Sequence, residues 1–513
     1  MIKQAYSHLR SNSLLRLPLL TLSISLIISG CASEALKRAP SAPDKPWQPN
    51  SHKSSDTAME NNTSPASGFS LPALPDAAVL APKPVIDTQQ SYNLPTLIDI
   101  AQRENPETRL AWNHAKQAAL AVGVLEATYL PQLSANVIAG WQKTHTPITM
   151  LPGNYSIDTE IHGVMPALAL EWLIFDFGQR AALIEGAEQL SFASNVMFNG
   201  THQKIIHDVT HAYYQYVGTQ AQSNIAQQAL KNSQQIANAV EQKRAAGLAT
   251  VLETAQANQQ VAQAKLRLTT THGNQEIAYQ ALLATVGLPT NIRIDIDSPP
   301  ENRLPDANSA LTEEAIQLAI SRRPDVQASY AAMKASTAHI AATEAEFLPK
   351  VYLGAVAAHS RNNFDLRGLP SLNQRTGSSS VILGVTIPIF DGGIRLARLQ
   401  DAHFQAENAS ERLRQSQQAA MREIIAASHM LRTTLSSHQA ASTLVQTAST
   451  TYHAALESYR LGVGTLTAVT MADTALLDAK QALMDARTAS QQGAAALAFV
   501  MGDMDSARES WVP

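Results

Sequence analysis

Phe175-Asp176-Phe177-Gly178-Gln179-Arg180 returns as Phe390-Asp391-Gly392-Gly393-Ile394-Arg395, 215 residues later. The same offset carries Gly247-Leu248-Ala249-Thr250 onto Gly462-Val463-Gly464-Thr465, Ala264-Lys265 onto Ala479-Lys480, and Gly287 onto Gly502. One offset held from Phe175 to Gly287 means that the chain is an internal duplication, and a duplication sets the architecture before any local propensity is consulted. Upstream, Asn105-Pro106-Glu107 and Tyr129-Leu130-Pro131 match Arg323-Pro324-Asp325 and Phe347-Leu348-Pro349 at an offset of 218. The change of three falls between Pro131 and Phe175, where a loop tolerates insertion.

Each repeat has the same order of parts. A helical segment, 95–129 and again 311–347, is closed by the x-Leu-Pro element, because proline stops a helix and biases its predecessor toward an extended form. Two strand-like stretches follow. In 133–142, Leu133, Ala135, Val137, Ala139 and Trp141 share one face, with Ile138 the exception. In 167–175, Leu168, Leu170, Trp172 and Ile174 share a face opposite Ala169 and Glu171. The second repeat offers Val351, Leu353, Ala355 and Ala357, then Val381, Leu383, Val385, Ile387 and Ile389. Period-two alternation over ~10 residues is the pattern of a membrane β-strand, apolar toward lipid and small or polar toward a lumen. Polar loops, 143–164 and 360–379, are expected to join each strand pair.

After the Phe-Asp-x-Gly element an uninterrupted helical pattern runs over 178–244 and 393–459, roughly 100 Å at ~1.5 Å per residue. A turn with Gly247 or Gly462 follows, then a return helix to Gly287 or Gly502. Compact domains do not use helices of that length, so these read as coiled-coil-like staves. Four strands cannot close a barrel, and an open edge in lipid leaves unpaired backbone groups at several kcal/mol each. Closure therefore needs further copies, and three would supply about twelve strands.

The first thirty residues read as an export signal, with Lys3, Arg10 and Arg16 ahead of the apolar run Leu17 to Ser29. It ends in Ile28-Ser29-Gly30-Cys31, which resembles the bacterial lipobox; an ordinary signal peptide that happens to contain a cysteine is the alternative. Cys31 is the only cysteine in 513 residues, so no disulfide can form within the chain. Ala32 rather than Asp follows it, which in lipoproteins of this type implies delivery to the outer membrane. Residues 31–91 are rich in Pro, Ser and Ala and read as a linker. The repeats occupy 92–300 and 301–503, and 504–513 is a tail. A net charge of −4 leaves no nucleic-acid footprint.

The duplicated Asn-Pro and Leu-Pro elements, the Phe-Asp-x-Gly elements and the two Gly-x-x-Thr turns resemble the TolC family of outer-membrane efflux proteins, from about Tyr92 to Asp503. The resemblance implies a mainly α protein with a membrane β-barrel: a homotrimer with a 12-stranded β-barrel, four strands from each protomer, continued by an α-helical barrel across the periplasm. It implies an outer-membrane channel of a tripartite efflux system, working with a periplasmic adaptor (a membrane fusion protein) and an inner-membrane pump. A pump of the resistance-nodulation-division type that exports small molecules is favoured, and an ABC pump is the other option. The duct of a type I protein secretion system is the alternative within transport. A non-transporting periplasmic coiled-coil lipoprotein, a spacer or adhesin, is the alternative outside it, and does not account for the paired strands.

The same resemblance places adaptor docking at the helix tips: Arg244, Gly247, Leu248 and Thr250 in the first, Arg460, Gly462, Val463 and Thr465 in the second. Where family members carry a gating acidic ring, this chain has Ala468 and Met471, which leaves Glu171, Glu253 and Asp473 as lumen or gate candidates. His207 and His211 stand at metal-compatible i, i+4 spacing with His202 nearby, but no acidic partner motif accompanies them. Gly462-Val463-Gly464 lacks the third glycine and preceding strand of a nucleotide fingerprint. No nucleophile–base pair presents itself. The expectation is a protein without catalysis, metal or cofactor, apart from a covalent lipid on Cys31.

Overall fold

The computed structural model describes residues 86–150, 153–298, 312–366 and 372–504, with residues 40, 42, 43, 304 and 370. The export signal, Cys31 and most of the linker and tail lie outside the described residues. The chain divides into Met1–Pro82 and Lys83–Pro513, and the architecture below belongs to the second unit.

The elements run β1 (Ser91–Tyr92), α1 (Leu94–Glu104), α2 (Pro106–Glu126), β2 (Gln132–Met150), β3 (Gly153–Phe175), α3 (Gln179–Ala245) and α4 (Val251–Val286). The second repeat continues with β4 (Asp295–Ile296), α5 (Glu313–Arg322), α6 (Pro324–Glu344), β5 (Lys350–Leu366), β6 (Leu372–Thr386), α7 (Ile394–Arg460) and α8 (Leu466–Val500). Both α3 and α7 have 67 residues. Their boundaries, and the starts of α4 and α8, keep the 215-residue offset read from the sequence.

Two expectations are corrected. The segments 95–129 and 311–347 are not single helices. Asn105 and Arg323 adopt extended backbone ahead of Pro106 and Pro324 and cap the helices those prolines begin. Each segment then ends in a short 3-10 turn, Ala127–Tyr129 or Ala345–Phe347. Nor are 143–164 and 360–379 loops. The β2–β3 ladder runs without a break from Gln132↔Glu171 to Met150↔Gly153, and β5–β6 from Lys350↔Thr386 to Phe364↔Leu372. Backbone pairing continues where the side chains are polar on both faces, because the ladder is made by main-chain groups that alternation does not report. In the other direction, Ile387 and Ile389 fall beyond the end of β6.

The four long strands form one antiparallel sheet in the order β2-β3-β5-β6. Below it the elements keep the same sideways order. α2 packs on α3, α3 on α6 and α6 on α7; further along, α4 packs on α3, α3 on α8 and α8 on α7. One flank of the protomer is thus β2, α2 and α4, and the other is β6 and α7. The main core lies where α1 meets α3 and α4, around Leu97, Ile98, Ile205, Val209, Tyr213, Leu282 and Leu283. The parallel pair β1–β4 stitches the start of the first repeat to the chain leaving α4. Tyr213 fixes that stitch by donating its hydroxyl to the Asp297 carbonyl at 2.6 Å. No helix among the described residues is long and apolar enough to cross a membrane.

Candidate functional site: the lipid face and the helix tips

Strand register decides which side chains share a face. Leu133 stands opposite Leu170, Leu170 opposite Ala355 and Ala355 opposite Val381. The next row in the same sense is Ala135, Leu168, Ala357 and Ser379. All four strands turn most of their apolar residues to this side: Leu133, Leu168, Leu383 and Val381 are exposed, Val381 with 74% of its surface open, while Leu170, Leu353 and Ala355 are half-buried, and Tyr352, Val356 and Ile382 stand on the other side. An exposed apolar face across a four-stranded sheet is a surface built for lipid. The opposite face carries Ser134, Asn136, Ala169 and Ser380. Glu171 lies there too, exposed, in register with Gln132 and Gly354.

The sheet is fastened to the staves by a buried ion pair that the Phe-Asp-x-Gly element supplies. Arg180 Nε donates to Asp176 Oδ2 at 2.8 Å, and the Arg180 backbone N–H donates to the same oxygen at 3.0 Å. The guanidinium also reaches the carbonyls of Thr128 (2.8 Å) and Ile174 (3.3 Å) and lies over the Tyr129 ring. One side chain thus ties the 3-10 turn, the end of β3 and the start of α3. In the second repeat Arg395 Nε lies 3.0 Å from Asp391 Oδ2 but out of line for a hydrogen bond; the Arg395 backbone N–H donates to that oxygen at 3.1 Å and the guanidinium lies over the Phe347 ring. The i, i+4 Asp–Arg spacing after Phe175 and Phe390 was the signal for these residues.

At the first tip, Gly247 has φ +75° and its N–H donates to the Arg244 carbonyl at 2.9 Å. Leu248 donates to Lys243 O at 2.8 Å, a left-handed helix ending that glycine allows without steric cost. Gly462 has φ +79°, and Val463 and Gly464 both donate to Ser458 O. Leu248 and Val463 are 77% and 81% exposed, so each tip offers an apolar side chain to solvent. Thr250 and Glu253 form a reciprocal capping box: the Thr250 N–H donates to Glu253 Oε2 (2.7 Å) and the Glu253 N–H to Thr250 Oγ1 (3.2 Å). Thr-x-x-Glu is legible in the sequence, and it holds Glu253 in the cap. At the second tip Thr465 caps the N–H of Ala468, which has no carboxylate to reciprocate. Arg244 and Arg460 sit on their own helices near Glu241 and Glu457. Lys243, unnoticed from sequence, joins the two tips: its ammonium donates to Tyr459 O at 3.0 Å and lies over the Tyr459 ring.

Asp473 does not face a lumen, which corrects its place among the gate candidates. It is 4% exposed, enclosed between the two hairpins beside the cluster of Val240, Tyr452, Leu466 and Val469. Burial pushes its carboxyl pKa up, against a hydrogen bond from Asn232 and the charge of Lys480. The folded-state pKa then lies above the unfolded one. Between the two values the folded chain holds the extra proton, stability falls as pH rises, and the penalty is complete above the folded value. Asp473→Asn is therefore expected to raise the urea midpoint at about pH 8 and to leave it unchanged near about pH 3. A variant weaker than wild type at both values would contradict this.

His207 stacks on Phe499 and contacts Asp208 at 3.1 Å. His211 is half-buried, its pKa lowered by that burial. The two rings stand 6.3 Å apart. No group of three His, Cys, Asp or Glu that could hold a metal occurs among the described residues.

A family model described as outer membrane efflux protein matches residues 97–288 and 315–503. Outer membrane protein OprJ of Pseudomonas aeruginosa is 27% identical over 341 residues, covering 66% of this chain and 69% of that protein. The probable outer membrane lipoprotein SilC of Salmonella typhimurium is 25% identical over 416 residues, 80% of this chain and 82% of that one. A solved structure of CusC superposes with a TM-score of 0.68 at 22% identity, covering 80% of this chain and 92% of that chain.

Proposed function

The chain belongs to the outer membrane efflux protein family, and from that premise we propose that three copies close into one duct through the outer membrane and the periplasm. The observation that carries this is the sheet: four strands whose exposed face is apolar, with β2 and β6 left as open edges. Each unpaired backbone group on such an edge costs several kcal/mol in hydrocarbon. The edge β6 of one copy pairing with β2 of the next removes that cost. The flanks below follow the same handedness, α7 meeting α2 and α4 of the neighbour. A spacer or adhesin has no use for that arrangement.

The helix tips are the adaptor-docking elements in this reading. Arg244, Gly247, Leu248 and Thr250, with Arg460, Gly462, Val463 and Thr465, present a small turn and one open apolar side chain each. Cargo is handed over by an adaptor and an inner-membrane pump, with a resistance-nodulation-division pump and small-molecule export favoured. With Glu253 held in its cap and Asp473 buried, Glu171 is the lumen-side carboxylate left among the three candidates. The chain does its work without a catalytic step or cofactor, and Cys31 carries the lipid that anchors the linker.

Full-length protein in a planar bilayer is expected to give single-channel conductance and to run as a trimer in detergent. A protein that stays monomeric and gives no conductance would return the assignment to a spacer.

A further inference from the structure

The lipid face carries a pair of like charges that no described residue neutralises. Counting up the sheet from the helices, Val351 pairs with Val385, Leu353 with Leu383 and Ala355 with Val381 on that face. In the same sense, Ala139 stands opposite Val164, Val164 opposite Arg361, and Arg361 opposite Arg375. Two arginines thus face each other across adjacent strands, both exposed, on the side that holds the apolar rows. The next row is Trp141, His162, Asn363 and Asn373.

The level of the pair is set by geometry. From Val351 to Arg361 is ten residues of β5. At ~3.3 Å per residue and a tilt of ~40° the rise is about 25 Å, the height of the apolar band of a membrane barrel. The pair therefore sits at the band's far edge, remote from the helices, and Trp141 marks the aromatic girdle one row beyond. That edge is the outer leaflet, whose glycolipids carry phosphate.

Like charges directly opposite in a sheet repel. Among the described residues neither Arg361 nor Arg375 has an ion-pair partner. Glu160 lies four residues, or two rows, beyond Val164 on β3, where its Oε1 accepts from Trp141 Nε1 at 2.5 Å. Closure of the ring brings no relief, because β2, the strand that would meet β6, contains no Asp or Glu.

We propose that Arg361 and Arg375 together bind the phosphate of an outer-leaflet glycolipid, with the acyl chains lying down the apolar rows below them. Two planar guanidinium forks match phosphate oxygens, and a basic pair at headgroup height draws anionic lipid. The site rests on the barrel reading given above, since it needs this face turned to lipid.

The test uses the full-length trimer in neutral detergent, examined by native mass spectrometry with hexaacyl bisphosphorylated lipid A. Wild-type trimer is expected to carry lipid A, and R361Q/R375Q to carry about tenfold less. Lipid A stripped of its phosphates should not bind to either. Melting of the wild type should rise on adding lipid A while that of R361Q/R375Q does not. Should the glutamine variant fail to form trimers, R361K/R375K keeps the charge without the fork and is expected to bind with intermediate strength. Equal loading of wild type and variant, equal binding of the dephosphorylated lipid, or displacement by millimolar inorganic phosphate would each overturn the proposal. Conductance measured on the same samples separates the two readings: a conducting wild type with no phosphate-dependent lipid defeats this inference alone, and a non-conducting one defeats both.

Discussion

Arg180→Ala is expected to remove about 3–5 kcal/mol of stability, because it leaves the Asp176 carboxylate buried with no counter-charge. The side chains of the pair are only 7% and 5% exposed, so water cannot take the place of the lost guanidinium. Three further acceptors lose their donor at the same time: the Thr128 and Ile174 carbonyls and the face of Tyr129. The equivalent Arg395→Ala should be milder, since Asp391 is more open and Arg395 Nε makes no hydrogen bond to lose among the described residues. Urea titration of the detergent-solubilised trimer gives both numbers. If the two variants lost the same small amount, under about 1 kcal/mol, the joint would not be the fastening described here.

Export should fall about tenfold or more when Gly247 and Gly462 are both replaced by Trp, while trimers persist. The reasoning turns on what a new side chain meets. A Cβ at either position finds nothing within 4 Å, so the fold pays only the backbone term for a left-handed residue, ~1–2 kcal/mol at each tip. Gly464 is different: a Cβ there would meet Ser458 and the Tyr459 nitrogen at 3.0 Å, so it is a poorer probe. A bulky group at 247 and 462 stands instead in the surface beside Leu248 and Val463, where an adaptor would seat. Susceptibility of cells to a pump substrate, read beside trimer abundance in outer-membrane fractions, checks the outcome. Unchanged export with intact trimers would move docking away from the tips.

Much of this architecture was legible in the residues, and the reasons differ from element to element. The long helices were read to within a residue or so because nothing in 178–244 or 393–459 interrupts them, and the glycines that end them mark the turns. The apolar strand faces were read for the same reason that register confirms them: lipid imposes strict alternation. Above the lipid the alternation stops while the ladder goes on, so half of each hairpin looked like loop. The breaks at Asn105 and Arg323 follow from the proline rule, but the helical composition on either side of Pro106 and Pro324 masks them. Asp473 could not be located from sequence at all. Its burial comes from two hairpins separated by more than two hundred residues closing on each other, and the stretch around it reads as an ordinary polar helix. Glu253 shows the reverse: Thr250-x-x-Glu253 is a capping signature legible from the residues alone.

The difference between Glu253 and Ala468 has a consequence for symmetry. In the proposed trimer, three copies of a duplicated chain bring six hairpin ends to one rim, yet only every other return helix begins with a carboxylate latch. The rim is therefore threefold, not sixfold, with stiff and loose ends alternating around it. Any six-membered collar that grips all of them has to meet two kinds of seat in turn, and an aperture that widens there should begin to yield at the three unlatched ends.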